Sequence, residues 1–213
     1  MQIAIPLFNG VTPLDVAGPY DVLARVPGAS VVLVGAEKAL YRDEYSSFAV
    51  EATATFDEIT KPDVVVVPGG PPEAVGPACQ GPIPAWLRAV HPSTRWTTSV
   101  CTGALLLGAA GLLVGREATT HWAGVGVLRQ MGATPVAERI VTHPDERLML
   151  AAGVSSGIDM ALALVAKLVD DERAQCVQLA LEYDPAPPFD AGSPAKAPKA
   201  VYEKMCVELK AQL

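Results

Sequence analysis

Cys101 stands where its neighbours alone point to reactivity. The stretch Arg95-Trp96-Thr97-Thr98-Ser99-Val100 is rich in β-branched residues and stops at Cys101; Thr102-Gly103-Ala104-Leu105-Leu106-Leu107-Gly108 then brings small residues and leucines. That pattern spells strand, sharp turn, helix, with the cysteine on the turn. A nucleophile on such an elbow is lifted clear of the sheet edge, and the residues two before and two after it must be small so that the backbones can pass. Ser99 and Gly103 meet this demand. A helix opening at Thr102 aims unpaired N–H groups and the positive end of its dipole at the sulfur, which predicts a favoured thiolate. The competing reading is a buried structural thiol, a common fate of free cysteine, and the elbow context weighs against it.

Two further side chains have the chemistry to serve that sulfur. Asp15 lies three residues after Thr12, which is followed by Pro13, so it reads first as half of a capping box at a helix start. Gly18-Pro19 then breaks the helical pattern, which predicts an irregular turn able to aim the Asp15 carboxylate inward. His121 ends a short strand predicted over residues 117–122 and is a candidate base, although a lone histidine there is more often a satisfied structural group. Gly69 and Gly70 follow the Val64-Val65-Val66-Val67 run, where open parallel sheets place their ligands, and can bring backbone N–H groups close to a bound atom. Neither turn spells a phosphate-cradling motif, so no nucleotide cofactor is expected. His91, His121 and His143 fall at no metal-ligand spacing, and no metal is expected.

The elements that must position these groups read as alternating strands and helices. Buried strands are predicted at residues 2–8, 31–36, 63–67 and 95–100, with an antiparallel excursion between 38 and 56. Helices are predicted at 81–90, 102–113, 125–131, 157–169 and 171–182, and a hairpin over 140–151. The fold class is α/β, a flavodoxin-like, doubly wound, mostly parallel sheet with helices on both faces. The chain of 213 residues, half of them apolar, suits one domain; a proline-rich arm at 183–198 and a last helix within 199–213 complete it. A net charge of −7 without a basic run argues against nucleic acid or an anionic membrane as partner. The opening residues carry no export signal and no apolar stretch is long enough to span a bilayer, so a cytoplasmic protein with reduced thiols is expected.

Taken together, several motifs resemble the PfpI-like superfamily related to class I glutamine amidotransferases, and within it the isonitrile hydratases. They are Leu14-Asp15-Val16-Ala17-Gly18-Pro19, Pro68-Gly69-Gly70, Ser99-Val100-Cys101-Thr102-Gly103, Ala118-Thr119-Thr120-His121-Trp122, Ser156-Gly157-Ile158-Asp159 and Gln178-Leu179-Ala180-Leu181-Glu182-Tyr183, with Pro187-Pro188-Phe189 beyond. The resemblance implies a homodimer acting on a small isonitrile without a cofactor. It implies Cys101 as nucleophile, Asp15 as acidic partner and Thr102 facing the same pocket, with Gly69, Gly70, His121 and Val154 binding substrate or its developing charge. It further implies that the arm and last helix lie at the dimer interface. Two other readings belong to the same superfamily: a ligand- or redox-sensing dimer, and a glyoxalase or deglycase acting on small dicarbonyls, for which His121 would be the base. Related peptidases carry a histidine where this chain has Thr102, which argues against peptidase activity.

Overall fold

The structure, a computed structural model, describes residues 1–211. The chain divides into two compact units, Met1–Leu181 and Glu182–Leu213. The first unit runs β1 (Gln2–Pro6), α1 (Pro13–Leu23), β2 (Ser30–Gly35), β3 (Leu40–Arg42), β4 (Ala49–Glu51), β5 (Ala54–Thr55), β6 (Val64–Val67), α2 (Pro72–Gln80), α3 (Pro82–Val90), β7 (Trp96–Ser99), α4 (Gly103–Ala109), β8 (Glu117–Ala118), α5 (Val125–Gln130), β9 (Thr134–Pro135), β10 (Ile140–His143), β11 (Leu148–Ala151), α6 (Ser156–Leu168) and α7 (Asp171–Ala180). The second holds the irregular proline-rich arm and α8 (Lys199–Ala211); the end of the helix expected up to Leu213 lies outside the described residues. Among the described residues no helix is long and apolar enough to cross a membrane.

Seven strands form the central sheet in the order β10-β11-β7-β6-β1-β2-β5. All pair in parallel except β10, which closes one edge as an antiparallel hairpin with β11. Parallel strands covered on both faces must be apolar throughout, and the four valines of β6 are fully buried. Each such side chain contributes roughly 1.5–3 kcal/mol through burial.

The topology fixes where a site can form. From β1 the chain moves to β2 through α1, whereas from β6 it moves the opposite way to β7 through α2 and α3, and onward to β11 past α4 and α5. Right-handed crossovers running in opposite directions put their helices on opposite faces. Accordingly α1, α6 and α7 pack together as one layer, and α2, α3, α4 and α5 as the other. The loops leaving β1 and β6 therefore part company at the carboxyl ends of adjacent strands, which is the switch point where such sheets open a crevice.

Several local expectations are corrected. α1 runs unbroken through Gly18 and Pro19; proline there only withdraws one N–H from the carbonyl of Asp15, and burial of Val16, Val22 and Leu23 against the sheet holds the helix. Thr12 makes no side-chain cap. α2 forms over a stretch given no element by the sequence pattern, with Pro72 at its first turn and Val75 and Ala78 buried beneath it. α4 stops at Ala109 rather than near Leu113, and the strand expected to reach Trp122 ends at Ala118, Trp122 instead opening a short 3-10 turn. Asp170 caps α7 by accepting from the Arg173 N–H, where the sequence offers Asp171 as an equally good cap.

Candidate active site

Cys101 connects β7 to α4 with a φ of +57°, a left-handed conformation that costs a non-glycine residue energy and must be held in place by its surroundings. Three hydrogen bonds hold it. The Val100 N–H donates to Val67 O at 2.9 Å, the Cys101 N–H to Ala152 O at 2.7 Å, and the buried Thr120 hydroxyl to the Cys101 carbonyl at 2.9 Å. Two glycines permit the tight passage around the elbow. A side chain on Gly103 would collide with the Val67 carbonyl, and one on Gly69 would lie 2.5 Å from Thr102 Oγ1 and 2.6 Å from its backbone nitrogen.

Asp15, in the first turn of α1, is fully buried. Its Oδ2 accepts the Gly69 N–H at 2.9 Å, a partner 54 residues away, so the carboxyl braces the β6 loop and caps nothing on its own helix. Its Oδ1 is equally buried and accepts no formed hydrogen bond. The Cys101 thiol is the polar neighbour close enough to act on the carboxyl as a hydrogen-bonding partner. Burial pushes the Asp15 pKa from 3.8 up to about 7, against the opposing pull of the Gly69 N–H and the thiol, and the negative charge of Glu44 adds to the rise.

The sulfur is governed by the same enclosure. Burial and then the Asp15 charge push the Cys101 thiol up to about 12, although the Thr102 N–H and hydroxyl and the Val154 N–H all face it and act in the thiolate's favour. The expectation that the helix start makes a thiolate is thus corrected. α4 has only seven residues, and burial of the sulfur, with the Asp15 charge adding to it, outweighs what its N–H groups supply. Because each acts on the other, the two groups titrate as a pair, the carboxyl giving up its proton ahead of the thiol.

The remaining expected residues fall around this pair. Thr102 Oγ1 donates to Gly70 O at 2.6 Å and accepts the Gly70 N–H at 2.9 Å. The Gly69 and Gly70 N–H groups are therefore already engaged by Asp15 and Thr102, and they position those side chains rather than point into open space. Val154 sits in the turn between β11 and α6. His121 packs close to Gly153, next in chain to Val154, but is not among the groups acting on Cys101 or Asp15. Its Nδ1 accepts the Ala123 N–H at 3.3 Å, which places the proton of the neutral ring on Nε2, and burial lowers its pKa. Such a ring is a donor at its free edge, not a base. Among the described residues no group of three or more His, Cys, Asp or Glu side chains is placed to hold a metal ion. Sequence reasoning missed the anchoring role of Thr120, whose hydroxyl in the loop after β8 carries no local signal.

A doubly wound sheet with a strained cysteine and a buried acid meeting at its switch point now has a family: the DJ-1/PfpI family matches over residues 1–167, and the chain belongs to it. The particular relatives sharpen this. Over 205 residues, 96% of this chain and 88% of the relative, it is 45% identical to an isonitrile hydratase of Pseudomonas putida. The crystal structure of a THiJ/PfpI family protein from Pseudomonas syringae superposes with a TM-score of 0.93 at 36% identity, covering 99% of this chain and 86% of that one. Drosophila melanogaster DJ-1beta shares the fold alone, at a TM-score of 0.76 and 19% identity over 85% of this chain and 97% of that one.

Proposed function

We propose that this chain hydrates isonitriles to N-substituted formamides, with Cys101 as nucleophile and Asp15 as proton carrier. The observation that carries the reading is the buried pair itself: a cysteine held at a positive φ on the elbow and a fully buried carboxyl beside it. The likeness to the Pseudomonas putida isonitrile hydratase supplies the substrate class. The terminal carbon of an isonitrile accepts a soft nucleophile and then needs a proton. As Cys101 Sγ bonds to that carbon, its proton passes to Asp15 and from Asp15 to the same carbon, giving a thioimidate, R–N=CH–S–Cys101. Water then adds across the C=N bond, with the ionised Asp15 removing its proton and returning one to nitrogen. Collapse of the adduct expels the sulfur, with Asp15 taking the hydroxyl proton and passing it to Cys101, and releases R–NH–CHO with the thiol restored. The Thr102 and Val154 N–H groups favour the charge on the sulfur as it leaves.

Turnover is tested with cyclohexyl isocyanide, para-nitrophenyl isocyanide and methylglyoxal side by side. Formamide from the first two and no lactate from the third is the expected pattern; the reverse would favour dicarbonyl chemistry. The doubly protonated pair has neither thiolate nor base, so turnover should rise with pH through about 7 and then level off. A profile that instead falls as pH climbs from 6 to 8 would contradict the shared proton.

The protein is also proposed to act as a homodimer, with the proline-rich arm and α8 at the interface. Exposed Phe189, Val201 and Val207 in the second unit support this, since apolar side chains of that size gain from a partner. Sedimentation should give a dimer for the full chain and a monomer for one ending at Glu182; an unchanged dimer after truncation would place the interface elsewhere.

A further inference from the structure

Asp15 is tied to a second carboxylate that no step above uses. Glu44 lies in the turn between β3 and β4, and its Oε2 accepts the Thr12 hydroxyl at 3.2 Å. Thr12 in turn donates its backbone N–H to Gly69 O at 2.9 Å, and the Gly69 N–H donates to Asp15 Oδ2. An unbroken chain of residues thus runs from Glu44 through Thr12 and Gly69 to the buried acid. Glu44 also lines an open depression of 470 Å³ together with Asn9, Gly10, Arg42 and Glu73. That depression borders the site, because a side chain on Gly70 would lie 2.5 Å from the carbonyl of Gly10.

We propose that Glu44 is a positioning residue for the proton chemistry of Asp15, acting through its charge from the mouth of the site and through its hold on Thr12. The inference rests on the reading of Asp15 as proton carrier. The charged and titratable groups around the two carboxyls are few. Cys101 and Glu44 act on Asp15, while Asp43, Tyr45 and Glu73 act on Glu44, with Arg42 lining the same depression. Partial burial, and then the like charge of Asp43 and Glu73, push the Glu44 carboxyl up from its ordinary value, while the Thr12 hydroxyl pulls it down. Once ionised, it disfavours a second negative charge inside.

Glu44→Gln removes the charge and leaves an oxygen to accept from Thr12. The test is a carbon-13 carboxyl titration of the full chain, with the Asp15 signal assigned by its absence in Asp15→Asn. The Asp15 midpoint should fall by a few tenths of a pH unit in Glu44→Gln and stay near the wild-type value in Glu44→Asp. Turnover at pH 6, relative to its plateau, should rise about twofold in Glu44→Gln. Glu73→Gln, which removes a rim charge that does not act on Asp15, should leave the midpoint in place. An unmoved midpoint in Glu44→Gln, or an equal shift in Glu73→Gln, would overturn the proposal. The titration needs no substrate, so it decides the role of Glu44 even if the wild-type chain hydrates no isonitrile.

Discussion

Cys101→Ala should lose about a thousandfold or more in formamide production, down to the uncatalysed background, because no other group on the elbow can form the carbon–sulfur bond. Cys101→Ser should do little better, since a buried hydroxyl is a far weaker nucleophile than a thiol. Neither change should unfold the protein. Alanine and serine at a φ of +57° carry the same strain that cysteine already carries, and the bonds from Val100, from residue 101 to Ala152 and from Thr120 use backbone atoms that the substitution leaves alone. A far-ultraviolet circular dichroism spectrum matching wild type, beside lost turnover, is the expected result. Replacing exposed Cys176, or the half-buried Cys79 and Cys206, should change turnover little.

Asp15→Asn separates the carboxyl's chemistry from its bracing role. Asparagine can still accept the Gly69 N–H, so the β6 loop should keep its place, but it carries no ionisable proton. Turnover should fall roughly a hundredfold or more, the usual contribution of a positioned acid–base group. Stability should move the other way. A carboxyl whose pKa is raised by folding stabilises the native state fully below its ordinary value of 3.8, and that contribution is lost as pH rises through about 7. At pH 8 the wild-type protein therefore bears a cost of about 4 kcal/mol at most from burying the ionised form, and the variant does not. Asp15→Asn should consequently melt higher than wild type at pH 8 and close to it at pH 4. Equal melting temperatures at both values would mean that the Asp15 carboxyl is not held near 7.

What the sequence disclosed follows from how local each feature is. Ser99-Val100-Cys101-Thr102-Gly103 carries its own geometry, since small residues at fixed offsets around one turn are all an elbow requires. The alternating buried strands are equally local, and they place the switch point correctly. From its neighbours alone, Asp15 was legible as an inward-facing acid only for a mistaken reason, a helix break at Gly18-Pro19; the family resemblance reached it independently. Its real partner, the Gly69 N–H, comes from another strand and leaves no mark near residue 15. The state of the sulfur was not legible for the same reason: the Thr102 donors are visible in outline from the helix start, but the burial that outweighs them is tertiary and the carboxyl that adds to it arrives from α1. α2 was hidden by Pro71, Pro72, Gly76 and Pro77, which leave no helix pattern although two of them serve a helix start.

The account turns on a covalent bond between Cys101 and the substrate carbon, and acid quench during turnover followed by peptide mass measurement tests it most directly. Because the thioimidate forms by addition, with the thiol proton retained on carbon, the Cys101 peptide should gain the full mass of one isonitrile. The same peptide from Asp15→Asn should gain it more slowly. Formamide accumulating in the wild-type protein while every quenched Cys101 peptide keeps its unmodified mass would contradict the account.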